Sequence, residues 1–444
     1  MGHQVRQHPR IVDPATLLAD CTCGGRHPEP LVTLYSGADA CRILAEDCRE
    51  VYGRQPVLLL SDPETEGVAG RALRDELQAN QVSLEHYLLA PNPSATDALA
   101  DQVQRASRGK VLIIGVGSGT INDLGKFAAD LNGIDYWSLP TAPSMNGYTS
   151  SIAAIKVKGV KRTLPAAPPK RIYLIPRVIQ QAPLKLRQAG FCDVLAKVVS
   201  DIDWQCESML YSGSYCGLPG AMMAAVEKSY AEHPEEIGRG DHAAIMGLCH
   251  GLLLSGVAMS LAGSSAPASG GEHLVSHFWD MREPITGRTA ELHGLQVGVG
   301  IILSTACYAR LASCDIAALP GDAERIFNVD LEAIPQIWGG YADEVAKQFN
   351  NKKAALLQLD TLLPGYWGQL QPLFNQVPPP EYFAGLFGRT GAPFTLEAFR
   401  LTVEEFRLAA LNARAIRERI TVLDLAAHAG VLEAATEDSL QLLA

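Results

Sequence analysis

From Leu31 to Pro176 the chain alternates short apolar runs with stretches of helical pattern. The runs are Leu31–Tyr35, Val57–Leu60, Val82–Leu89, Val111–Gly115, Tyr136–Leu139 and Arg171–Ile175. Such alternation predicts a parallel sheet covered by helices. The segment from Lys110 to Gly115 is apolar after its first residue, as expected of a central strand buried on both faces. Beyond Pro176 strand signals thin out and helical composition dominates, at Ala221–Tyr230, Leu248–Ala262 and Leu396–Ile420. Breaks at Pro364-Gly365, Pro378–Pro380 and Gly388–Pro393 are expected to separate the later helices. The pattern therefore predicts an α/β domain over 1–176 followed by an all-α domain over 177–444.

Composition narrows the class. A chain of 444 residues, 47% hydrophobic, can bury a large core. Its net charge of -11 argues against nucleic acid or an anionic membrane as partner, so any phosphate binding must be local. Met1 to Asp20 holds no continuous apolar stretch, which leads us to expect a cytoplasmic protein. The most apolar stretch, Gly247 to Ala262, is interrupted by His250 and by small residues, so a buried helix is expected there rather than a membrane span. The ten cysteines lack the dense spacing of a disulfide scaffold, and reduced thiols are expected. Cys21, Cys23 and His27 form part of a zinc pattern, although C-x-C spacing is unusual and no fourth ligand is evident nearby. His242 and His250 read as structural.

Two loops point to a nucleotide. The apolar strand ending at Gly115 runs into Gly117-Ser118-Gly119-Thr120-Ile121-Asn122-Asp123 and then a helical segment. Glycines let the backbone approach an anion, and helix N-terminal amides favour a pyrophosphate. The usual Rossmann spacing is broken, because Thr120 stands where the third glycine belongs. Taken alone, a tight strand-to-helix turn explains the glycines too. The second loop follows the next strand with Thr141-Ala142-Pro143-Ser144, Asn146 and Ser150. Ligands of open α/β sheets collect at the carboxyl ends of strands, where both loops are expected. Asp62, ending another strand, is placed either to accept from ribose hydroxyls, which favours NAD over NADP, or to cap a helix.

In the helical half Asp193 follows a glycine at what reads as the start of a helix. Glu272-His273-Leu-Val-Ser-His277 and Glu291-Leu-His293 come later. One carboxylate and two imidazoles suit a divalent metal with positions left open for substrate oxygens. His273 and His277, four apart, share a helix face. Either both bind metal, or His277 meets the substrate.

Together Gly117–Asp123, Thr141–Ser144, Asp193, Gly271–His277 and His293 resemble the iron-containing alcohol dehydrogenase and dehydroquinate synthase superfamily. Within it the chain resembles the bacterial branch of the sn-glycerol-1-phosphate dehydrogenases, also at Cys21–Gly24 and Arg417–Leu425. The resemblance implies a nicotinamide-dinucleotide domain, NAD(H) favoured and NADP(H) allowed, followed by a metal domain. It implies one divalent ion (zinc, nickel or iron) on Asp193, His273 and His293. Gly117 through Asp123, Thr141, Ala142, Pro143, Ser144 and Ser150 would hold the cofactor. Asn146, Asp193 and His277 would contact the substrate, with Asp193 and His277 as the catalytic pair. Relatives commonly carry aspartate at Asn146, so this chain lacks a charged contact there.

The implied reaction is reversible reduction of dihydroxyacetone phosphate to sn-glycerol 1-phosphate, serving phospholipid biosynthesis, with the metal polarising the ketone and His277 relaying a proton. Lys161 and Arg162 are candidates for the substrate phosphate, against the ordinary reading of a solvated basic pair. Rival readings are a dehydrogenase of unphosphorylated glycerol and other polyols, and a cyclase like dehydroquinate synthase. A homodimer is expected from the frequency of twofold assemblies and from the resemblance.

Overall fold

The computed structural model describes residues 8–19, 21–29, 31–315 and 333–444. Part of the N-terminal stretch used above, residues 1–7 and Asp20, lies outside them. The chain divides into two compact units, one of residues 1–190 and 221–265, the other of 191–220 and 266–444. The first unit thus extends past the expected boundary at 176 and takes in the helix His242–Ala262. That helix packs on the helix Pro176–Gln180 within the first unit.

The first unit is built on a six-stranded, all-parallel sheet. Its strands are β1 (Thr33–Ser36), β2 (Val57–Ser61), β3 (Leu84–Leu88), β4 (Leu112–Gly117), β5 (Asp135–Pro140) and β8 (Arg171–Leu174). Their order is β1-β8-β5-β4-β2-β3, so every apolar run found in the sequence becomes a strand. Central β2 and β4 are buried along their whole length, as the unbroken apolar runs require. Leu59, Ile114 and Trp137 pack into one core, and Leu58, Ile113 and Tyr136 into another. The strand order reverses between β2 and β4, and loops after those strands flank that switch point.

A feature absent from the sequence reading is the antiparallel hairpin of β6 (Ile152–Val157) and β7 (Val160–Pro165). Its two-residue turn places Lys158 at φ 50° and Gly159 at φ 83°, the handedness that matches strand twist. Lys161 and Arg162 therefore lie on a paired strand rather than on a polar connector.

The second unit is helical throughout its described residues. The 33-residue helix Ala342–Phe374 runs through Pro364 and Pro372, so Pro364-Gly365 does not end a helix as expected. The expected helix over Leu396–Ile420 is shorter, because Thr402 and Glu405 form a reciprocal capping box that starts it at Val403. Helices Gly271–Thr286 and His293–Ala312 are the most closely associated pair. A Cβ at Gly300 would sit 2.2 Å from the Glu272 carbonyl oxygen, so only glycine allows that approach. Two helices, His242–Ala262 and His293–Ala312, are long and apolar enough to cross a membrane, yet 83% of each apolar window is buried inside the protein.

Candidate active site

In the first unit the helix Gly119–Asn132 starts directly after β4, with Ser118 at its N-cap. The Ser118 side chain makes no capping hydrogen bond. The first amides of a helix have no partner within it, so Gly119, Thr120 and Ile121 offer N–H groups at the positive end of the dipole. Tyr136 fills the space above Gly115 and Gly125, where a Cβ would meet its hydroxyl at 2.3 Å and its ring at 2.6 Å, respectively. Gly125 therefore provides the close helix-to-strand packing for which the usual fingerprint uses its third glycine.

Several residues quoted from these loops turn out to brace them. Ile121 and Asn122 are buried, and Asn122 Oδ1 accepts from Tyr136 and Ser138 at 3.4 Å each. Asp123 accepts from the Ala154 amide and so ties the loop to the hairpin. Ser150 is fully buried, its hydroxyl donating inward to Gly147 and Ile152 carbonyls and accepting from Lys126. Asp62 is occupied as a helix cap, accepting from the Thr65 amide at 2.8 Å and its hydroxyl at 2.9 Å. The side chains of Asn122, Asp123, Ser150 and Asp62 thus make supporting contacts within the first unit. Ser118, Gly119, Thr120, Ser144 and Asn146 remain partly exposed, while Gly117, Thr141, Ala142 and Pro143 are buried.

Lys126 was passed over in the sequence, although it stands in the same run. Its buried ammonium donates to the Gly147 carbonyl at 2.9 Å and to the Ser150 carbonyl at 3.1 Å, so the first helix clamps the second loop. From the far side Thr149 donates to the Leu253 carbonyl, and Ser260 donates to the Thr149 carbonyl. Burial pulls the Lys126 pKa down to about 8, with Asp123 opposing. The unfolded chain holds this proton up to the ordinary lysine range and the folded chain releases it near pH 8, so stability rises with pH between the two values. Lys126→Met removes that rise. The difference in unfolding free energy between wild type and variant should shift toward the wild type by up to about 3 kcal/mol from pH 8 to pH 10.5, read by urea denaturation.

The second unit gathers the metal donors. Asp193 stands near the end of the helix Leu184–Leu195, not at its start, with Gly190 inside the helix. His273 lies in the first turn of Gly271–Thr286, and His293 opens His293–Ala312. One donor atom from each of Asp193, His273 and His293 falls within 4.8 Å of the other two. The rings of His273 and His293 are 5.1 Å apart, and His273 Nε2 is 3.4 Å from Asp193 Oδ1. Both Nδ1 atoms are already engaged. Glu272 Oε1 accepts from His273 Nδ1 at 2.7 Å, and Ser276 Oγ lies 2.7 Å from His293 Nδ1. Such outer partners fix ring orientation and leave Nε2 for an ion, so the residues fit a divalent metal. Burial disfavours the His273 imidazolium, yet the hydrogen bonds to Asp193 and Glu272 outweigh it and raise its pKa.

A second shell invisible to sequence reasoning holds this arrangement. Asp203 accepts from the Tyr308 hydroxyl at 2.6 Å and from the Gly271 and Val422 amides at 2.7 Å each. It thereby fixes the start of the helix that bears His273. Burial, and then the Glu272 carboxylate, push its pKa up to about 7.

His277 belongs to the same cluster, its ring stacked 5.4 Å from that of His293. Its Nε2 lies 3.1 Å from Arg417 Nη2. A guanidinium only donates, so His277 Nε2 is the acceptor and the imidazole carries its proton on Nδ1. The nitrogen facing Arg417 is therefore engaged. His277, Asp280 and His293 form a second possible donor set, but the occupied Nε2 weighs against it.

Comparison with known proteins identifies the family. Residues 35–183 match the family model of iron-containing alcohol dehydrogenases. The chain is 32% identical over 335 residues to a glycerol-1-phosphate dehydrogenase [NAD(P)+] of Halalkalibacterium halodurans, covering 74% of this chain and 82% of that one. With its counterpart in Geobacillus stearothermophilus it shares 33% identity, over 67% of this chain and 74% of the relative. In fold it is similar to the crystal structure of glycerol dehydrogenase from Schizosaccharomyces pombe, with a TM-score of 0.58 at 15% identity, covering 93% and 91% of the two chains. The chain therefore belongs to the glycerol-1-phosphate dehydrogenase family of iron-containing alcohol dehydrogenases and is an oxidoreductase.

Proposed function

We propose that this enzyme reduces dihydroxyacetone phosphate to sn-glycerol 1-phosphate with NADH or NADPH, using a divalent metal on Asp193, His273 and His293. The observation that supports it most directly is the donor cluster whose imidazoles have their second nitrogens already engaged. When bound, the ion supplies Lewis-acid polarisation of the ketone. The amides at Gly119–Ile121 and the hydroxyls of Ser118, Thr120, Thr141 and Ser144 bind the dinucleotide. The dinucleotide, when bound, would supply the hydride for the carbonyl carbon, and His277 Nδ1–H would give the proton to the substrate oxygen and regain it from solvent. Asn146 hydrogen-bonds a substrate hydroxyl. A homodimer is part of this reading, and a scattering mass twice that of the chain checks it.

Arg417 is the preferred ligand for the substrate phosphate, since it is half-buried, cationic and bonded to the substrate-side imidazole. Burial lowers its pKa to about 10, so it keeps its charge at neutral pH. Lys161 and Arg162, by contrast, sit on the hairpin, where Lys161 acts on Asp123.

Removing metal with a chelator, restoring zinc, nickel or iron(II), and following NADH oxidation tests metal and substrate together. Metal-dependent turnover that prefers dihydroxyacetone phosphate over dihydroxyacetone supports the reading. Turnover of the unphosphorylated ketone alone makes it a polyol dehydrogenase. His277→Phe should keep its metal while kcat falls about 10²- to 10⁴-fold, the usual worth of a proton-transfer group. Metal analysis beside steady-state kinetics checks this, and an unchanged kcat removes His277 from the mechanism.

A further inference from the structure

We infer that Cys21, Cys23 and His27 form a second metal site, a thiolate-rich zinc site in the first unit, separate from the Asp193–His273–His293 cluster. The two sulfurs lie 3.4 Å apart, and His27 Nε2 is 3.2 Å from Cys21 Sγ and 3.1 Å from Cys23 Sγ. A tetrahedral zinc with ordinary bond lengths sets its sulfur and nitrogen donors about 3.5–3.8 Å apart. The three donors already form a triangle close to that size. Both cysteines are free thiols, and their separation is well beyond the length of a disulfide bond.

The surroundings are those of a ligating set. His27 Nδ1–H donates to the Leu261 carbonyl at 2.9 Å, which turns the lone pair of Nε2 toward both sulfurs. The Gly25 amide donates to Cys23 Sγ at 3.2 Å, an interaction that stabilises a thiolate. Gly24 sits at φ 71°, the left-handed turn that folds the segment back so His27 reaches the sulfurs. The C-x-C-x₃-H spacing, unusual in extended sequence, is satisfied by this turn. A fourth coordination position is left to a ligand outside residues 21–27.

The site's role is structural. Leu261 is next to last in the helix His242–Ala262, whose Leu253 and Ser260 hold the Thr149 loop. A zinc ion here pins residues 21–27 to that helix. Binding displaces the thiol protons to solvent and involves no electron transfer.

Cobalt(II) distinguishes the two sites, because only a thiolate site gives an intense sulfur-to-cobalt charge-transfer band. Elemental analysis of the full-length protein should find two metal equivalents, and His273→Ala should still hold one, with the cobalt band retained. Cys23→Ser should abolish the band and release one equivalent, leaving the other in place. Should Cys23→Ser fail to fold, His27→Ala and mercurial titration of wild type, which displaces zinc from thiolates, give the same count. A wild type with one equivalent, no charge-transfer band and two freely titrating thiols overturns the proposal. So does a Cys21–Cys23 disulfide in the reduced, freshly purified protein.

Discussion

Replacing His273 by alanine should leave a folded protein that retains no ion in the Asp193 cluster and turns over at least about 10³-fold more slowly, since a Lewis acid contributes several kcal/mol. The variant removes a donor and frees Glu272, whose carboxylate then loses its 2.7 Å partner. Glu272→Gln is the finer probe. It keeps the ligands and weakens the grip on His273 Nδ1, along with the bond from the Gly270 amide to the same oxygen, so metal affinity should fall about 10- to 100-fold. Competition with a chromogenic chelator measures both. A Glu272→Gln protein with wild-type affinity would mean that the fold alone orients His273.

Arg417→Met should raise KM for the phosphorylated ketone on the order of 10²-fold, the scale expected when one partner of a buried charged pair is truncated. Turnover of the unphosphorylated ketone should change far less, so the ratio of kcat/KM values isolates the phosphate. Lys161→Ser with Arg162→Ser serves as the counter-experiment. If that pair abolishes the preference and Arg417→Met does not, the phosphate belongs to the hairpin.

The sheet was legible because burial on both faces forces unbroken apolar runs, which is why Val57–Leu60 and Val111–Gly115 stand out. The β6–β7 hairpin was not, since its inward residues include small Ala153 and its turn is Lys158-Gly159 rather than a strong hairpin pair. The donors Asp193, His273 and His293 could be picked out by residue type. Their supports could not, because Asp203 meets Val422 across 219 positions and His277 meets Arg417 across 140. Glu272 is the exception that could have been found: a carboxylate adjacent to a candidate ligand at a helix start is a visible signal. The supporting contacts of the Asn122, Asp123 and Ser150 side chains were hidden for the opposite reason. A polar residue in a nucleotide-type loop reads the same whether it faces the ligand or the core, and only burial separates the two.

The engaged Nδ1 atoms of His273 and His293 bear on how the enzyme acquires its ion. Because Glu272 and Ser276 hold the rings, a divalent ion would meet donors that the fold itself orients, and exchange of one ion for another would need no refolding. Two imidazoles and a carboxylate discriminate weakly among zinc, nickel and iron(II). The ion found in a purified sample should then track what the growth medium supplied, and specific activity should vary between preparations of identical chain.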